Sequence, residues 1–161
     1  MKYTITGDNL QFVNVQLEPG EELMSTAGSM SYMTGNVRME AKMEGGLFKG
    51  VKRMFSGESL FLVKYHAEGG SGIVGLGGDV PGKIMDIDVT RCPWIVQKTG
   101  YLGSEPTVDL DIAFQKKLGN MLFGGEGLFV ATLTGPGKIV IQSMTLGDMA
   151  MALYPFMPKN T

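Results

Sequence analysis

The chain has 161 residues, 43% of them hydrophobic and 24 of them glycine, and a formal net charge of −2. That length suits one domain with a single sizeable core, the glycine content is high without any Gly-X-Y period, and the charge gives no general attraction to a nucleic-acid backbone, which disfavours nucleic acid as a partner. A lone cysteine, Cys92, excludes an internal disulfide framework and suits a reducing compartment, so a cytoplasmic protein is expected.

The opening "MKYTITGDNLQFVNVQLEPG" lacks the uninterrupted apolar run of an export signal, and no segment approaches the 18 or so apolar residues of a membrane span. Within it "YTIT" and "QFVNVQL" read as strands, and "GSMSYM" follows as a third. In "NVRMEAKME", Val37, Met39, Ala41 and Met43 alternate with Arg38, Glu40, Lys42 and Glu44, the period of a half-buried strand. "GGLFKGVKRMF" predicts a helix with Leu47, Phe48, Val51, Met54 and Phe55 on one face and Lys49, Lys52 and Arg53 opposite. "SLFLVKY", "GIVGL", "KIMDIDV" and "WIVQK" are the next strands, each bounded by turn-forming residues. "TVDLDIAF" sets Val108, Leu110 and Ile112 against Thr107, Asp109 and Asp111, and "GLFVATL" and "KIVIQS" complete the β pattern. "TLGDMAMALYP" predicts a short helix over about 145–154, stopped by Pro155. Because that helix is apolar nearly all round, it is expected to pack on the body or on a partner.

The chain repeats itself. "FSGESLFLVKY", starting at Phe55, returns as "FGGEGLFVATL", starting at Phe123, and Pro-Gly turns recur at Pro19, Pro81 and Pro136. Residues 19–65 and 81–133 therefore read as two tandem β units of one domain. The fold class is all-β with two short helices, arranged as a duplicated β-sandwich or a jelly-roll-like double-stranded β-helix.

Several segments resemble chemical motifs. "GSGIVG", Gly70 to Gly75, spells a dinucleotide fingerprint, but "LGGDVPGKI" follows where a helix N-terminus must meet the pyrophosphate. "GGDVPGKI" ends in Ile84 where a phosphate loop requires Ser or Thr. His66 is the only histidine, which prevents a multi-histidine metal site within one chain. Asp86 with Asp88, and Asp109 with Asp111, lie two apart on strands, so each pair projects from one face. Such pairs can supply oxygen ligands to Ca²⁺ or Mg²⁺, divide acid and base duties, or simply form the wet face of a sheet. Glu58 and Glu126, the duplicated acids of the repeat, are candidates for quasi-equivalent contact sites, but they read first as turn residues. Lys49, Lys52 and Arg53 form a basic helix face capable of touching an anionic membrane surface. No catalytic set, cofactor or metal is assigned from these residues.

"GGLFKGVKRMFSGESLFLVKY" and "CPWIVQKTGYLGSEPTVDLDIAFQKKLGNMLFGGEGLFVATLTGPGKIVIQSM" together resemble the bacterial and archaeal relatives of the yeast mitochondrial-biogenesis factor named for altered inheritance of mitochondria. The resemblance implies a fold grouped with the trp RNA-binding attenuation protein, assembled into a closed ring such as a trimer, with no agreed catalytic residues. It also implies a link, in the yeast relative, to organisation of the mitochondrial inner membrane, although no transit peptide is evident here. The expectation is a non-enzymatic homo-oligomer that binds an unidentified protein or small molecule or acts as a scaffold. Alternatives are small-ligand or RNA binding by analogy of fold, peripheral membrane association and, last, an Asp-based or metal-dependent enzyme.

Overall fold

The computed structural model describes residues 1–42, 62–115 and 128–158. The helix expected over "GGLFKGVKRMF", with Lys49, Lys52 and Arg53, lies outside the described residues, as do Glu58 and Glu126. Among the described residues there are thirteen strands: β1 (Lys2–Thr6), β2 (Phe12–Leu17), β3 (Glu22–Thr26), β4 (Met30–Met33), β5 (Val37–Lys42), β6 (Leu62–Ala67), β7 (Gly72–Gly77), β8 (Ile84–Asp88), β9 (Trp94–Gln97), β10 (Tyr101–Ser104), β11 (Asp109–Gln115), β12 (Leu128–Thr134) and β13 (Lys138–Gln142). One helix, α1 (Leu146–Leu153), follows them. The all-β expectation holds, and the second expected helix is present.

The strands form three antiparallel sheets, ordered β1-β2-β7-β4, β5-β6-β3-β10-β13-β8 and β11-β12-β9. The six-stranded sheet is the middle layer. On one face Leu23, Val63, Tyr65, Leu102 and Val140 pack against Val13, Val15, Val74 and Leu76 of the four-stranded sheet. On the other, Met24, Tyr101 and Ile139 pack against Leu110, Ala131 and Leu133 of the three-stranded sheet, with Val108 beside them. Alternation creates these layers: in β2, Val13, Val15 and Leu17 point inward while Asn14 and Gln16 stay partly wet. Each fully buried Leu or Val contributes about 1.5–3 kcal/mol relative to exposure.

Strands with both faces covered lose the alternation. Leu23, Met24 and Ser25 of β3 are all buried, and so is every residue of β10. The polar atoms trapped there are paired, since Ser25 Oγ donates to the Leu102 carbonyl at 2.6 Å and the Tyr101 and Ser104 hydroxyls lie 2.8 Å apart. Gly103 is required by close approach, because a Cβ there would sit 2.9 Å from the Met24 carbonyl oxygen and 3.0 Å from Leu76 Cδ1. β5 shows the opposite departure: Val37 is buried but Met39 is 51% exposed, because β5 is an edge of the middle sheet.

The pairing order repeats. β2-β7-β4 and β5-β6-β3 in the first half are matched by β8-β13-β10 and β11-β12-β9 in the second, each strand number advanced by six. Even the irregularities coincide, with a register shift between Met30 and Tyr32 of β4 and between Tyr101 and Gly103 of β10. This topological repeat runs from Phe12 to Gly77 and from Ile84 to Gln142, bounds that differ from 19–65 and 81–133. The three Pro-Gly turns lead into β3, β8 and β13, which are not equivalent strands. β3 and β10 join the halves into one middle sheet, with Ser25 opposite Gly103 and Met24 opposite Ser104.

Candidate functional site

The aspartate pairs sit on two strands that are sheet edges among the described residues, Asp86 and Asp88 on β8 and Asp109 and Asp111 on β11. Asp86 is held by the Tyr3 hydroxyl and by Lys138, whose Nζ lies 3.2 Å from Oδ2, and its carboxyl falls below the ordinary carboxylate range against an opposing push from burial. Asp88 instead accepts the Thr90 amide at 2.8 Å, and bonds from Thr90 lower its carboxyl as well. The two carboxylates thus serve different partners and do not converge. Asp109 and Asp111 are exposed on the outer face of the three-stranded sheet. Among the described residues no three His, Cys, Asp or Glu side chains come together as metal ligands would. His66 Nε2 is 3.9 Å from Glu68 Oε1, and its Nδ1 is buried without a partner. Cys92 is exposed. Gly70 to Gly75 runs directly into β7, where Gly75 and Gly77 leave room for the rings of Tyr32 and Phe12; a Cβ at either position would collide with them. These glycines shape a sheet surface.

A different region gathers apolar surface. The edges β8 and β9 border a groove of about 750 Å³ lined by Met85, Ile87, Trp94, Ile95, Val96 and Ile141. At its rim stands the first turn of α1, also among the lining residues through Thr145 and Asp148. Asp148 N donates to Thr145 Oγ1 at 3.1 Å and Thr145 N donates to Asp148 Oδ2 at 3.0 Å, a reciprocal cap. Burial pushes the Asp148 carboxyl up, but the Thr145 bonds and Gln97 together leave it below its ordinary value. Gln97 Nε2, 3.5 Å from Asp148 Oδ1, ties this cap to the end of β9. Beyond it no residue of α1 is buried, and Leu153, Tyr154 and Phe156 stand exposed. The helix expected to pack on the body or a partner buries none of its residues against the described body.

Charge is unevenly distributed over the sheet edges. Among the described residues, four of the six edge strands carry it: Lys2 on β1, Arg38 and Glu40 on β5, and the aspartate pairs on β8 and β11. β4 (Met30–Met33) and β9 (Trp94–Gln97) carry none. An unpaired edge is a template for another strand, and charged side chains are a usual means of blunting it. β4 and β9 lack that protection.

Three antiparallel layers define an all-β protein, with two uncharged edges and an apolar groove among its described residues. The model of the mitochondrial biogenesis AIM24 family matches residues 3–150, and the chain belongs to that family. It is 32% identical over 153 residues to an uncharacterized protein of Streptococcus pyogenes, the match covering 89% of this chain and 60% of that protein. The crystal structure of a Streptococcus pyogenes protein superposes on it with a TM-score of 0.69 at 27% identity, covering 89% of this chain and 64% of the other. The chain therefore spans less than two thirds of the length of these relatives. No helix among the described residues is long and apolar enough to cross a membrane.

Proposed function

We propose that this chain is a non-enzymatic β module that assembles with copies of itself and presents the assembly as a scaffold or binding surface to a protein or small-molecule partner. The observation that carries this reading is the groove between β8 and β9 together with the uncovered helix that begins at its rim. Apolar surface gathered in one place on a soluble protein marks an interaction site more often than a chance exposure. The likeness of the family to the trp RNA-binding attenuation protein fold favours a closed ring such as a trimer. The single cysteine suits a reducing compartment such as the cytoplasm. Multi-angle light scattering of the purified chain should give a discrete multiple of the single-chain mass at micromolar concentration. A single-chain mass under those conditions would overturn the reading.

A further inference from the structure

We infer that the assembly is sewn by one joint, in which β4 of each copy pairs antiparallel with β9 of the next, fusing their four-stranded and three-stranded sheets into one. This rests on the self-assembly reading above and adds where the contact is made. In the topological repeat, β9 is the counterpart of β3, and β4 the counterpart of β10. Inside the chain β3 and β10 are paired and join the halves. Moved one half further along, the same joint requires β9 to find a β4, and the chain's own β4 belongs to its first half. A second copy supplies it, and a head-to-tail contact of this kind closes into a ring when the rotation permits.

The register follows from the pairings. Leu23 lies opposite Tyr65 and Trp94 opposite Leu133, and Tyr65 and Leu133 are the matching last residues of the repeated sequence. The shared irregularity aligns Tyr32 with Gly103 and Met33 with Ser104. The joint of Ser25 to Gly103 and Met24 to Ser104 thus becomes Val96 to Tyr32 and Ile95 to Met33 of the neighbour. Within the chain Met24 is 5% and Ser104 1% exposed, whereas Ile95 is 68% and Met33 38% exposed. These are the side chains that closure would bury.

The groove is explained by the same shift. Met85, Trp94 and Ile141 in its lining are the counterparts of Val13, Leu23 and Leu76, which are fully buried. In the first half Ile84 and Val140 of the second half join the core that covers them. The counterparts of Ile84 and Val140 on a neighbouring copy are Phe12 and Gly75. Gly75 lies directly opposite Tyr32, as Val140 lies opposite Gly103, so the large and small members of the pair are exchanged. The Tyr32 ring occupies the space over Gly75, with its centroid 6.1 Å from that of Phe12. This aromatic face of one copy is the plug for the groove of the next. The two strands that meet are also the two uncharged edges, and α1 starts at the end of one of them.

The 161-residue chain tests this with cysteines placed at the joint. In a Cys92→Ser background, oxidation of Met33→Cys/Ile95→Cys should give an interchain disulfide ladder that neither single cysteine variant gives. Ile95→Lys and Met33→Glu should each raise the concentration for half-assembly roughly tenfold or more, without lowering the melting temperature of the dissociated chain. The combined Ile95→Lys/Met33→Glu chain, with opposite charges at the joint, should regain assembly. If the wild type is oligomeric while both charge variants keep its mass and no interchain bond forms, this joint is wrong and self-assembly stands. A wild type of single-chain mass at every concentration removes both.

Discussion

Leu23 and Trp94 hold the same place in the two halves and meet opposite surroundings: Leu23 is fully buried, Trp94 is 41% exposed. Around Leu23 the next half of the chain supplies Leu102 and Val140, whereas among the described residues none follows β9 in that role. The difference shows that burial at a repeated position is decided by what comes next along the repeat, not by the strand's own sequence.

Truncating these two residues separates them most sharply. Leu23→Ala should lower chain stability by about 2–5 kcal/mol, the usual cost of a cavity in a closed core. Trp94→Ala, measured by urea unfolding at a dilution where the chain is single, should lower it by less than about 1 kcal/mol, and act instead on assembly. Equal losses at the two positions would mean that the groove is already a finished core.

A second contrast is between two buried tyrosines on opposite faces of the middle sheet. Burial pushes both phenols up, but the Tyr101 hydroxyl is paired with Ser104 while that of Tyr65 has no partner among the described residues. Tyr101→Phe should lower stability by about 1 kcal/mol. Tyr65→Phe should be neutral or stabilising, because it removes a polar atom buried without a hydrogen bond. A loss at Tyr65 as large as at Tyr101 would reveal a partner for its hydroxyl in the assembled protein.

The smallest contrast lies between the aspartates. The Asp86 carboxyl is lowered in the folded chain, so its contribution is present above its unfolded value, at about pH 4, and is lost as pH falls through the lower folded value. Asp86→Asn should flatten this acid limb in a pH series of melts. Its Lys138 pair is more than a third exposed on both sides, which limits the effect to a few tenths of a kcal/mol. Asp109→Asn should change neutral-pH stability by less than about 0.5 kcal/mol. A larger loss there would indicate a partner on the β11 edge.

Much of the fold was legible wherever one face of a strand is wet. β2 and β11 show their period in Val13 and Val15, or Leu110 and Ile112, and the wet positions of the aspartates follow from it. β10 was not legible as a strand, because Tyr101 to Ser104 are covered on both faces and leave no alternation. It is also the strand that joins the halves, so the layer order was hidden with it. The alternation of β5 places Met39 on the inward face, and only the sheet order shows that β5 is an edge. The aspartate pairs carry a ligand-like pattern in the sequence itself, whereas β4 and β9 carry none, because their distinction is a lack of charge at a sheet edge. That distinction exists only once the edges are known.

The cap of α1 has a consequence for order along the chain. A helix of eight residues is marginal in water by itself, and no residue of α1 is buried. What holds it is the Thr145–Asp148 cap, worth about 1 kcal/mol. Its amides should therefore exchange with solvent quickly in the dilute chain and slow down when a neighbour covers Leu153 and Tyr154. Hydrogen exchange along these two turns would read out the completeness of the assembly from within a single subunit.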